Sequence, residues 1–172
     1  MALLRSSRRT GLAGAAETVI TLWALLGGLV LLGVVGINVA SVIGGVFGRP
    51  FPGDFELTEI GVAVAAFAFL PFCQVHDANV TADIFTARAS ARWVAGFRLA
   101  ASLVAFLFAV LLVWRMYDGL LSQKEYGYTT AILQVPIWWG FVPILVSLLL
   151  LAVAALVTFV ESGRRAAAAE AG

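Results

Sequence analysis

Charge is scarce in this chain. Of its 172 residues, 12% are Asp, Glu, Lys or Arg and 62% are hydrophobic, whereas a soluble domain carries about 25% charged and at most about 50% apolar residues. A small soluble domain keeps much of its surface in water and has nowhere to hide such a surplus. With a mean hydropathy of +0.99, the composition points to an integral membrane protein. The formal net charge of +1 argues against nucleic-acid binding, which needs a basic face. The single cysteine, Cys73, excludes an internal disulfide, quinone-linked dithiol chemistry and cysteine-rich zinc or iron–sulfur sites. The single histidine, His76, excludes a haem held by two histidines. No cofactor and no metal site is implied, and nothing marks an enzyme. Ser102 and Ser147 meet the needs of an intramembrane serine protease by residue type only, since that chemistry requires a serine facing a histidine at depth. Serine in membrane helices more often packs or hydrogen-bonds.

Long apolar runs are what the chain has. They lie between Glu17 and Arg49, from Ile60 to Val75, between Arg98 and Arg115, and from Val135 to Val160. A membrane helix takes about 20 mostly apolar residues, with a range of roughly 17–25. These runs predict four transmembrane helices, over about 17–44, 56–76, 94–117 and 135–161, in one membrane domain spanning 1–172. The first run follows Arg5, Arg8 and Arg9. It is far longer than the roughly 7–15 apolar residues of a signal peptide and has no A-x-A site, so it reads as a retained helix. Neither an acid deep inside a run nor an internal repeat is evident. Coupled pumps usually hold the first, and transporters built from inverted repeats show the second.

Orientation follows from Lys and Arg beside the spans. One side holds Arg5, Arg8, Arg9, Arg88, Arg92, Arg98, Arg164 and Arg165, and the other holds Arg49, Arg115 and Lys124, which predicts both termini in the cytoplasm. Trp93 and the pair Trp114/Tyr117 bracket the third helix, and Trp138/Trp139 mark the start of the fourth, as interfacial aromatic belts. Pro136 fits a first helical turn, where its missing N–H has no partner to lose. Pro71 and Pro143 lie further inside their helices, where each should bend the helix or leave a carbonyl for a neighbour.

The stretch CQVHDANVTADIF, Cys73–Phe85, ends the second run. His76 and Asp77 mark the cytoplasmic end of that helix, where a cationic side chain is well placed. Val80, Ile84, Ala87 and Ala91 then recur at helical spacing among Thr81, Asp83, Arg88 and Arg92. This predicts a short amphipathic helix over 80–92, lying in the interface with its arginines toward headgroups. Arg88, Arg92 and Trp93 would anchor it. A proton relay at His76 is disfavoured, since relays sit inside a span and face a partner. Glu56 and Glu59 share a face at the start of the second helix. They read either as simple helix-end stabilisation or as an acidic edge for a partner outside the membrane. Gly27, Gly28, Gly33 and Gly36 are candidate packing positions on the first helix, within the chain's own bundle or against a larger membrane partner.

Two stretches carry a family resemblance. FELTEIGVAVAAFAFLPFCQVHDANVTADIF, Phe55–Phe85, has an acid at the start of helix two, an apolar span, and then a histidine, a β-branched residue and an aspartate: His76, Val80 and Asp83. TTAILQVPIWWGFVPILVSLLLL, Thr129–Leu151, has a short polar lead, an apolar residue, Pro136 and Trp138. With the four-span layout, these resemble the small membrane subunit (DctQ-type) of tripartite ATP-independent periplasmic, or TRAP, transporters. The usual tight H-[IV]-x-V-D motif is spread out here, over His76 to Asp83. The resemblance implies a multi-pass protein of the bacterial inner membrane in a fixed complex with a large permease subunit, which carries the substrate and sodium sites. It also implies a periplasmic binding protein that captures the substrate, often an organic acid. The small subunit would enlarge the scaffold and hold it at fixed depth in the lipid.

Other readings lead elsewhere. The small subunit of a tripartite tricarboxylate transporter also has four spans. A non-transport assembly or anchor protein would co-purify with something other than a large permease. A self-sufficient exporter or channel would move solute when purified alone.

Overall fold

A computed structural model describes residues 12–76 and 91–170. It contains four helices, α1 Leu12–Val46, α2 Asp54–Val75, α3 Ala91–Glu125 and α4 Trp138–Glu170. All four are long and apolar enough to cross a membrane. Among the described residues there is no strand, only an isolated antiparallel bridge between Thr129 and Pro136. The all-helical four-span fold is therefore as expected. The interfacial helix expected over 80–92, with Val80, Asp83 and Arg88, falls on residues outside the described ones. Residues 91 and 92 belong to α3.

The helix ends have local causes. α1 is 35 residues long, about 52 Å at 1.5 Å per residue, against a hydrocarbon core of about 30 Å. It stops where Arg49 N–H donates to the Gly44 carbonyl at 2.8 Å, with Gly48 at φ 70°. This is the six-to-one bond of a glycine-terminated helix. α3 ends the same way, Tyr128 N–H donating to the Gln123 carbonyl at 3.3 Å around Gly127 at φ 64°. α3 outlasts its apolar run and continues past Tyr117 to Glu125, because Leu120, Leu121, Gln123, Lys124 and Glu125 are good helix formers. α4 begins at Trp138, so Pro136 stands before the helix rather than in its first turn. The loop's own bonds hold it there: Thr130 N–H to the Val135 carbonyl at 2.9 Å, and Ile137 N–H to the Tyr128 carbonyl at 3.1 Å. The Pro136 carbonyl then accepts the Trp139 N–H at 3.1 Å and leads into α4. Both internal prolines are accommodated in continuous helices, Pro71 fully buried.

The helices do not close into a bundle. α1 packs on α2, α2 on α4 and α4 on α3, with only a light touch between α1 and α4. In space the order is a row, α1–α2–α4–α3, with α4 the most enclosed and α3 the least. Small residues make the seams, as expected where packing rather than the hydrophobic effect drives association. A Cβ on Gly61 would fall 2.3 Å from Val34 Cγ2, and one on Gly27 would fall 2.6 Å from Ala68 Cβ, so α1 and α2 meet almost backbone to backbone. Ile20, Val75 and Ala154 form a buried cluster, with Phe72 and Leu150 against it, joining α1, α2 and α4. Ala109, Leu148 and Ala155 are buried as well, while large side chains such as Leu29, Leu32, Val104 and Leu107 face outward.

Candidate functional site

Polar groups gather at three levels along the row. The end carrying the α1–α2 and α3–α4 turns will be called the turn end, and the other the terminal end. At the turn end, the Glu56 carboxylate reaches from the first turn of α2 to the 126–137 loop. Its Oε1 accepts the Ile132 N–H at 2.6 Å and its Oε2 the Leu133 N–H at 3.0 Å. Both carboxylate oxygens thus satisfy backbone donors that a loop tip would otherwise leave to water. The Leu133 side chain fills the space a Cβ on Gly53 would occupy. Within the loop, Val135 N–H donates to Thr130 Oγ1 at 3.1 Å, Thr129 Oγ1 to Gln134 Oε1 at 3.0 Å, and Gln134 Nε2 to the Ala131 carbonyl at 3.0 Å. The loop is a built element seated on α2.

Both acids line a cavity of about 480 Å³ between α2, α4 and the loop, with Ile60, Ala63, Phe141 and Ile144 as its apolar wall. They differ in that the loop backbone engages Glu56, whereas Glu59 is exposed.

A second polar chain crosses from α1 to α2. Asp54 Oδ2 accepts the Ser41 hydroxyl at 2.5 Å and Oδ1 accepts the Phe55 N–H at 2.9 Å. One turn deeper, Asn38 Nδ2 donates to Thr58 Oγ1 at 2.7 Å and to the Val34 carbonyl at 2.9 Å, while Thr58 Oγ1 donates to the Asp54 carbonyl at 2.7 Å. Deeper still, Trp23 Nε1 donates to Ser147 Oγ at 2.9 Å, and Ser147 Oγ to the Pro143 carbonyl at 2.8 Å. Ser147 therefore faces an indole and not a histidine. Toward the terminal end, Gln74 Nε2 donates to Thr158 Oγ1 at 3.3 Å.

At the terminal end His76 closes α2. Its backbone N–H and its Nδ1 both reach the Phe72 carbonyl, at 3.1 and 3.0 Å. The ring stacks on Phe72 at 4.1 Å, and Nε2 lies 3.6 Å from Glu17 Oε1 on α1. A carbonyl only accepts, so the Nδ1 contact is a donation from the ring. His76 thus ties two helix ends together.

The aromatic residues expected at the interface fall near helix ends or at the turn end. Trp114, Tyr117 and Trp139 are exposed. Trp138 meets Trp139 edge-on at 6.2 Å and lies under Lys124 Nζ at 5.6 Å. Arg92 and Trp93 stand in the first turn of α3. Of the four candidate glycines, Gly27 packs on α2, whereas Gly28, Gly33 and Gly36 meet nothing within 4 Å. Sequence reasoning missed Asn38, Ser41, Thr58 and Trp23. The signal was present: Asn38 and Ser41 lie i, i+3 on one helix, and Asp54 and Thr58 i, i+4 on the next, so each pair shares a face. No group of three or more His, Cys, Asp or Glu that could hold a metal occurs among the described residues.

No curated protein and no solved structure matches the chain. A family model does match, described as tripartite ATP-independent periplasmic transporters, DctQ component, over residues 31–165. That span starts in the middle of α1 and takes in α2, α3 and most of α4. On this match the chain belongs to the DctQ component family of TRAP transporters.

Proposed function

We propose that this chain is the small permease subunit of a TRAP transporter, standing in the bacterial inner membrane with both termini in the cytoplasm. Its partners are a large permease subunit and a periplasmic binding protein, and its role is to widen and steady the scaffold against which the large subunit moves an organic acid with sodium. The observation that carries this reading is the family match over residues 31–165, from the middle of α1 into α4. The open row of four helices supports it, because a row offers broad flanks to a neighbour and to lipid.

The turn end then faces the periplasm and the terminal end the cytoplasm, in keeping with the arginines at 5, 8, 9, 88, 92, 98, 164 and 165. Arg88, Arg92 and Trp93 on one side, with Trp114, Tyr117, Trp138 and Trp139 on the other, fix the depth of the row in lipid. Glu59 is the acid free to meet a periplasmic partner, while Glu56 shapes the loop beside it.

Affinity purification of the tagged chain from native membranes in mild detergent, with mass spectrometry of what remains bound, tests the reading. A stoichiometric large polytopic permease supports it. A chain that elutes alone, or with a small-solute receptor of another system, overturns it. Glu59→Lys should weaken uptake by the intact complex and leave the two membrane subunits together; unchanged uptake removes Glu59 from the docking edge.

A further inference from the structure

The α1–α2 seam shows a mismatch of levels. Three pairs set its register: Val34 against Gly61, Asn38 with Thr58, and Ser41 with Asp54. Beyond Ser41, α1 continues through Val42 to its end at Val46, with Phe47 just after it, and these three are 72%, 80% and 79% exposed. Val46 therefore stands about 7 Å past the Asp54 level, and the exposed Glu59 about 7 Å short of it, from five residues of helix rise each. Apolar side chains and a carboxylate that needs water are thus inverted by about 15 Å on adjacent helices. Helix axes in contact are 8–10 Å apart, and a typical tilt of about 20° shifts neighbouring levels by only about 3 Å. A single flat lipid boundary cannot cover Val46 and hydrate Glu59.

A second observation on the same seam asks for a partner. A cavity of about 480 Å³ runs along it, lined by Val35, Val39, Val42, Asn38, Thr58 and Val62 among others. The Val34 carbonyl only accepts, which fixes the amide nitrogen of Asn38 on that side, and both amide hydrogens are used. Asn38 Oδ1 has no donor among the described residues, in a groove otherwise almost entirely apolar. Acyl chains offer no donor, and an amide oxygen left bare in hydrocarbon is costly. The valines have one strongly preferred χ1 in a helix, so they lose little freedom when another helix packs on them. The N-terminal half of α1, by contrast, exposes leucines at 22, 25, 26, 29 and 32.

We infer that this seam, Val35 to Val46 on α1 and the adjoining Phe47, with Phe55 and Val62 on α2, receives an apolar membrane helix of the large permease subunit, which brings a hydrogen-bond donor to Asn38 Oδ1. The inference rests on the reading of the chain as a small permease subunit and assigns the face used. Phe55 is 84% exposed and lies i, i+7 from Val62, so it extends the same surface beyond the lipid boundary. The α3 flank, with Val104 and Leu107 outward, is left to lipid.

The test is photocrosslinking in native membranes that hold the whole complex, with p-benzoylphenylalanine at Val39, Val42 or Leu107, one at a time. Positions 39 and 42 should give an adduct with the large subunit, and position 107 should not. Seam adducts only with lipid, with a second copy of this chain or with the binding protein overturn the inference, as does a large-subunit adduct confined to 107. Co-purification from the same membranes separates the two claims. If the large subunit co-purifies and the seam does not crosslink to it, the face is wrong and the subunit reading stands; if it does not co-purify, both fall. Asn38→Leu should lower the large subunit retained on the tagged chain about three- to twentyfold, and unchanged retention overturns the donor. Val42→Trp, at a position already open in the isolated chain, should lower retention without altering the yield of the chain itself.

Discussion

Gly61→Ala probes the closest approach of α1 and α2. The added Cβ would lie 2.3 Å from Val34 Cγ2, where carbon atoms at rest stand about 3.5–4.0 Å apart. The seam must open by more than an ångström at that point, or Val34 must leave its rotamer. Val34 is buried and β-branched, so rotation is restricted. The Gly27–Ala68 contact lies two turns further along the same seam and resists separation. Overpacking of this kind costs about 1–3 kcal/mol. Alanine returns about 1 kcal/mol of helix propensity relative to glycine, which leaves a net loss of up to about 2 kcal/mol. The decisive measurement is a double-mutant cycle with Val34→Ala, which removes the clashing methyl. Thermal unfolding in detergent should show Gly61→Ala and Val34→Ala each destabilising, and the double variant losing at least about 0.5 kcal/mol less than their sum. Gly33→Ala, where nothing lies within 4 Å, should be neutral or slightly stabilising. An additive cycle refutes the claim that this contact sets the helix spacing.

Other positions are open to the same treatment. Glu56→Gln retains one acceptor oxygen of the two, so hydrogen exchange at the Ile132 and Leu133 amides should quicken; equal protection in Glu59→Gln and the parent is the matching control. Trp23→Phe and Ser147→Ala should each cost about 0.6–2 kcal/mol and should add less than fully, since both break the indole–hydroxyl bond while only Ser147→Ala also loses the bond to the Pro143 carbonyl. Additive losses would dissolve that pairing. His76→Phe keeps a ring to stack on Phe72 but loses the Glu17 contact. Because that pair is part-exposed and 3.6 Å apart, a loss of no more than about 1 kcal/mol is expected, and a collapse of stability would show that His76 does more than join two helix ends.

The four spans were legible because apolar length is a strong signal: from Thr18 to Gly48 there is no charge at all. The helix ends were less so. α3 continues through Ser122, Gln123, Lys124 and Glu125, polar residues that a hydropathy reading assigns to a loop although their helix propensity is good. The order of the row was not legible. In α1 and α3 the apolar residues are spread round the helix, so hydropathy alone does not announce which neighbour either meets, and only Asn38 and Ser41 mark a side of α1. Glu56 could be placed at a helix start from sequence, but its partners lie 76 and 77 residues away, and no local pattern predicts a contact at that range. Gly27 and Gly28 look alike in sequence, and only the packing shows that one is at a seam and the other is not.

The spatial order α1–α2–α4–α3 differs from the order of synthesis. The first two helices can pair as a hairpin as soon as both have been inserted, with Gly61, Gly27 and the Asn38–Thr58 bond available at once. The third helix arrives with no neighbour to hold, because its seam is with α4. It must wait as a lone span until the last helix slides between it and the hairpin. The final helix therefore completes two interfaces in a single event, and a ribosome stalled before Trp138 would leave a joined pair and a solitary span in the same bilayer.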